Sequence, residues 1–166
     1  MKTIYISLCL LGASHGVHAA DVKALSKVST LTAETALVAA QAALKDCQKR
    51  GAVAAVAVVD RSGVPLVMLR DALSGMHTPE TATRKAWSAV SFKSSTLDLE
   101  KTTAYNQASN GIRHLPGVVM IGGGLPIQAA GTLVGGIGVS GAPGGEMDDE
   151  CAKAGVKAIR DALDLE

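Results

Sequence analysis

Aromatic side chains are nearly absent, with one Trp, two Tyr and one Phe in 166 residues. A core with so few rings has to be filled by small and β-branched side chains, so its helices and strands must approach one another closely. An excess of either charge is missing as well. Sixteen Lys and Arg against fifteen Asp and Glu give a formal net charge of +1, which leaves no broad cationic field to draw the chain onto nucleic acid or acidic lipid. Cysteine is scarce: three residues with no C-x-x-C pair exclude a cysteine-rich metal knuckle and covalent haem attachment. There is no G-x-S-x-G elbow and no H-E-x-x-H pair, and Gly122-Gly123-Gly124-Leu125-Pro126 lacks the Gly-Lys-Ser/Thr of a phosphate loop. No run reaches the about 20 apolar residues of a membrane-spanning helix, so membrane insertion is not expected.

The first twenty residues have their own character. Lys2 gives a positive start, Ile4 to Ala13 is nearly all apolar, and Val17-His18-Ala19 offers a small-residue cleavage site. This is the pattern of a secretory signal peptide, residues 1–19, and it predicts a periplasmic or secreted protein. A polar lead, residues 20–30, then precedes a single domain over 31–166, a length that can bury its own core. Two cysteines remain, Cys47 and Cys151, and the expectation is two buried free thiols. An oxidising compartment would also permit a bridge between them.

Thr32 caps a predicted helix with the apolar face Leu37, Ala40, Leu44 and Cys47, stopped by Gly51. Val53 to Val59 and Val64 to Leu69, joined by Asp60-Arg61-Ser62-Gly63, read as a hairpin. Thr78-Pro79-Glu80 reads as a second helix start, with Thr78 as the cap and the helix running to about Lys93. Its inner face is Ala82, Ala86, Ala89 and Val90. Ser95 or Thr96 caps a further helix ending near Asn110-Gly111. Residues 117–145 are rich in glycine and contain three apolar runs, Val118 to Ile121, Leu125 to Ala129 and Leu133 to Val139, predicted as three strands. The acidic cluster Glu146, Asp148, Asp149 and Glu150 opens a last helix, with Cys151, Gly155 or Ala154, Ala158 or Ile159, and Ala162 on its inner stripe. The fold class is α+β: a five-stranded antiparallel sheet flanked by helices, in profilin-like layering.

Candidate site residues lie in the loops and at one helix start. His77 precedes the second helix, where an imidazole nitrogen is placed to coordinate a metal. His114 stands in a loop before Leu115-Pro116-Gly117. Arg84 and Lys85, one to two turns into the helix, offer cations for a carboxylate, and Trp87 is a ring that a flat cofactor could touch. Gly123 and Gly124 offer backbone N–H groups to an anion, or make a sharp turn between two strands. Each also has a structural reading: a solvated helix entry for His77, a wet helix face for Arg84 and Lys85, and packing for the ring.

Together Asp60-Arg61-Ser62-Gly63, the run from His77 to Ala89, Leu115-Pro116-Gly117, Gly122-Gly123-Gly124-Leu125-Pro126-Ile127, Gly135 to Gly141 and Asp149-Glu150-Cys151-Ala152 resemble the GlcG/HbpS-like family of haem-binding proteins, over roughly Leu31 to Leu163. The resemblance implies the five-stranded antiparallel fold, a homo-oligomer, and non-covalent binding of haem b. It implies His77 as an axial ligand, metal-binding in that sense, with Met76 as a possible thioether donor, and a role in haem or iron sensing, storage or trafficking. Haem degradation is attached to the family by label. Two other readings stay open: a protein that binds a small carboxylate at a glycine turn or helix N-terminus, enzymatic or accessory, and a subunit whose faces serve assembly alone.

Overall fold

The computed structural model describes residues 24–165; the expected signal peptide, residues 1–19, lies outside them. From residue 31 the chain builds three layers. Helix α1 (Ala33–Lys49) leads into strands β1 (Ala55–Asp60) and β2 (Pro65–Arg70), followed by α2 (Thr78–Phe92), α3 (Thr96–Thr102) and a 3-10 turn (Asn110–His114). Strands β3 (Gly124–Ala129) and β4 (Thr132–Ser140) come next, then α4 (Gly145–Ala158) and the short α5 (Arg160–Leu163).

The sheet is antiparallel with the order β2-β1-β4-β3. It has four strands, not the five expected. Val118 to Ile121 is the run that fails to become a strand. It lies along α2, where the Val119 N–H donates to Ser88 Oγ at 2.9 Å and Met120 is buried. A side-chain hydroxyl takes the bond that a neighbouring strand would have taken.

Strand alternation sorts the two faces. Val56, Val58, Ile137 and Val139 face α1 and α4 in the main core, while Ala55, Ala57 and Val59 face α2. Ala82, Ala86, Ala89 and Val90 are buried as expected. On α1, Ala40 and Cys47 are buried as expected and Leu44 packs against the core, joined by Ala36, Ala39 and Ala43, whereas Leu37 is exposed. On α4, Cys151 and Gly155 are buried as expected, as is Ile159 at its end, whereas Ala158 and Ala162 are exposed, because the helix breaks at Ile159.

Other local expectations meet their limits in side-chain chemistry. Thr32 and Ser95 cap α1 and α3. Thr78, expected to cap α2, is instead its first helical residue, with His77 at the cap position; the Thr78 hydroxyl donates to the Gly75 carbonyl at 2.8 Å. The third helix ends at Thr102, well before Asn110, because side chains take its last carbonyls. Asn110 Nδ2 and Arg113 Nε both donate to Thr103 O, and Ser109 Oγ donates to Thr102 O.

Cys47 on α1 and Cys151 on α4 are joined in a disulfide, with Cα atoms 5.4 Å apart, which corrects the expectation of free thiols. The two helices lie side by side on one face of the sheet, which brings the residues into bridging range despite their separation of 104 positions. Replacing both cysteines by Ala is expected to cost about 2–5 kcal/mol, read as a lowered denaturation midpoint. An unchanged midpoint would show that the bridge adds nothing.

The tightest contact is α2 on β4, where a Cβ at Gly138 would stand 2.0 Å from the Ala82 carbonyl oxygen. Gly138→Ala is expected to lower stability by about 3 kcal/mol or more. Gly111→Ala, with nothing within 4 Å, is the control and should melt close to the parent protein.

Candidate functional site

The loop 71–77 delivers His77 to the start of α2. Asp71 anchors it, accepting the Leu73 N–H at 3.1 Å through Oδ1 and the Gln48 side-chain amide at 3.1 Å through Oδ2. These bonds hold the Asp71 carboxyl below its usual range. Thr78 Oγ1 also lies 3.1 Å from Ser74 Oγ, whose own hydroxyl donates to the Asp71 carbonyl inside the turn. His77 is exposed and its side chain makes no capping bond. Its ring lies over Gly75, where a Cβ would meet the imidazole at 2.8 Å.

An open cleft of about 440 Å³ begins at His77. Its walls include Thr81 and Lys85 of α2, Ile121, Ser140 at the end of β4, and the loop 141–145 that leads into α4.

At its floor lies a buried ion pair. Lys85 Nζ is 2.7 Å from Asp148 Oδ2 and donates to the Val139 carbonyl at 3.0 Å. Asp148 Oδ1 accepts the Ala142 N–H at 3.0 Å, so the pair fastens α2, β4, α4 and the 141–145 loop together. Burial pushes the Asp148 carboxyl above its ordinary value, outweighing the Lys85 ammonium and the hydrogen bonds that favour its charge.

The residues singled out from the sequence are dispersed. His77 and Lys85 share the cleft. Lys85 is not on a wet helix face; it is 2% exposed. Arg84 is exposed and pairs with Glu80 at 2.5 Å. Met76 is 94% exposed beside His77. Trp87 packs on Gly63 in the β1–β2 turn, roughly 15 Å along the helix from His77 at 1.5 Å per residue. His114 is exposed at the end of the 3-10 turn.

Gly123 and Gly124 are buried around the ion pair, not laid out as a hairpin turn. A Cβ at Gly123 would meet Asp148, and one at Gly124 would stand 2.4 Å from the Lys85 carbonyl. The Gly124 N–H is taken by Thr96 Oγ1 at 2.7 Å, and the neighbouring Gly122 N–H by Glu100 Oε2 at 3.0 Å.

Asp148 and Ser140 were missed. Asp148 stands in an acidic cluster that reads as helix-dipole compensation, and no sequence pattern separates it from Glu146. Ser140 ends an apolar run, and a polar residue there was the available signal.

These features define an α+β domain with a histidine at the rim of an open cleft. The chain belongs to the family described as "Haem degrading protein HbpS-like", which matches residues 31–157. It is similar to crystallised HbpS of Streptomyces reticuli, in a form with two Glu-to-Asp changes, at 38% identity and a TM-score of 0.78 over 89% of this chain and 99% of that one. The PduOC:Heme complex is similar at 32% identity and a TM-score of 0.74, over 78% of this chain and 95% of that one. Corrinoid adenosyltransferase PduO of Salmonella typhimurium is 34% identical over 72% of this chain. The match spans about a third of that enzyme's length, 36%.

Removing one partner of a buried ion pair strands the other, at a cost of about 3–5 kcal/mol. Lys85→Met is therefore expected to be strongly destabilised at pH 7, where Asp148 is an unpaired buried carboxylate. A folded pKa raised above the unfolded one means that the penalty grows as pH rises through it and fades as pH falls. Urea denaturation should thus show the deficit against the parent protein shrinking between pH 7 and pH 4. A constant deficit would mean that Asp148 is not the stranded charge.

Proposed function

We propose that this chain is an exported protein that binds haem b non-covalently, with His77 as the ligand to iron. The observation that carries this reading is an exposed imidazole free of any capping bond, on a fold similar to that of a protein crystallised with haem.

The donor set fits iron held by a porphyrin. The macrocycle supplies four nitrogens and asks one or two ligands of the protein. A bare ion asks for more, and among the described residues no group of three His, Cys, Asp or Glu side chains is gathered to hold one. His77 would hold the iron on one side, with the Met76 thioether beside it as a second donor or an apolar contact. Arg84 would have to leave Glu80 to meet the carboxylate edge. Bound haem would supply a centre that exchanges one electron, suited to sensing, storing or passing on haem.

The N-terminal pattern and the Cys47–Cys151 bridge support export, since disulfides persist in oxidising compartments. Among the described residues no helix is long and apolar enough to cross a membrane.

Haemin added to the mature protein is expected to give a saturable Soret band at one haem per chain or per dimer. His77→Ala should weaken binding by about tenfold or more, the loss of an axial ligand, and His114→Ala should not. Equal, weak shifts in all three proteins would overturn the reading. Ascorbate in air separates binding from degradation: a Soret band that survives marks a binder, and one that bleaches with release of iron marks an enzyme.

A further inference from the structure

We propose that the cleft beside His77 is a carboxylate-binding subsite, formed by the N-terminus of α4, the Ser140 hydroxyl and the buried Lys85 ammonium. Where the carboxylate is a haem propionate, the inference rests on the haem reading above; where it is a free small acid, it does not.

Two helices of 15 and 14 residues, α2 and α4, start at the walls of this one cleft, and neither start carries a side-chain cap. Each helix start is worth about half a positive charge. Ser140 adds an independent sign of a missing partner. It is 6% exposed and lines the cleft, and among the described residues its hydroxyl has no hydrogen-bond partner. The hydroxyl opens on the cleft, and a bound carboxylate oxygen would accept its proton. Lys85 has three N–H donors, of which Asp148 and the Val139 carbonyl take two.

The charges around the cleft set the class of ligand. Lys85 and Asp148 cancel. Glu146 is exposed in the first turn of α4, and its carboxylate folds back to 3.2 Å from where a Cβ on Gly144 would be. The chain's own anion thus leans on the end of this helix and would give way to a ligand. His77 sits at the rim. With Glu146 displaced, the two half-charges leave close to one positive charge, which suits a monoanionic carboxylate better than a phosphate dianion.

The test uses the mature protein, Ser140→Ala, Glu146→Gln and His77→Ala, titrated with haemin and with haemin dimethyl ester, which keeps the iron and neutralises both propionates. Thermal melts in sodium propionate against equal sodium chloride form the second arm. If the haem supplies the carboxylate, Ser140→Ala weakens haemin binding by roughly tenfold, the loss of one hydrogen bond to a charged group. Glu146→Gln then tightens it, and the ester responds to neither change. If a free acid is the ligand, propionate raises the melting temperature of the parent protein and of His77→Ala, and not that of Ser140→Ala. Indifference of haemin binding and of the propionate effect to Ser140→Ala and Glu146→Gln overturns the subsite, and haemin binding lost in His77→Ala would then leave the haem reading standing alone. A propionate effect without any haemin binding would do the reverse.

Discussion

The distance between α2 and the sheet is the constraint from which the rest of the molecule follows. Gly138 on β4 lets the Ala82 carbonyl come to where a Cβ would stand only 2.0 Å away, and Gly124 on β3 does the same for the Lys85 carbonyl at 2.4 Å. Two backbones this close leave no space for large side chains between them, which is why that face of the core is built from Ala82, Ala86, Ala55 and Ala57. The same closeness explains the fate of Lys85. With its backbone pressed on Gly124, its side chain has room only along the sheet end, where Val139 O and Asp148 wait. The shortage of aromatic residues and the buried ion pair are two results of one packing geometry.

That geometry was partly legible beforehand. Alternation and turn chemistry place the β1–β2 hairpin, where Asp60 Oδ1 accepts the N–H groups of Ser62 and Val64, and the alanines of α2 mark its inner face. Failures occur where a side chain competes with the backbone. Val118 to Ile121 has a strand's composition, but its N–H goes to Ser88. The third helix has nothing in its sequence that forbids a longer run, yet Ser109, Asn110 and Arg113 fold back onto its last carbonyls. Contacts of this kind depend on residues brought together from a distance, and local pattern does not encode them.

The site follows the same division. The place of His77 at the start of α2 is legible because a histidine before a helix start is a local feature. The Lys85–Asp148 pair joins positions 63 residues apart and is invisible to spacing; Lys85 reads as surface because Arg84 beside it is surface. The glycine triplet misleads in the opposite direction. Its composition suggests an anion loop, but the Gly122 and Gly124 N–H groups already have acceptors inside the fold, and its smallness serves to let Asp148 and the Lys85 carbonyl approach.

A buried ion pair is a poor device for stability alone, since apolar residues of the same volume often do as well or better. Its use here is positional. Lys85 and Asp148 connect the second helix, the end of β4, the last long helix and the loop 141–145, and every one of these contributes to the wall of the His77 cleft. An apolar replacement would fill the space without fixing where the loop 141–145 sits, because Asp148 Oδ1 is what holds the Ala142 N–H. The loop in turn aims the start of α4 at the cleft. The charged pair is therefore better understood as part of the cleft's framework than as part of the core, even though both side chains are almost wholly buried.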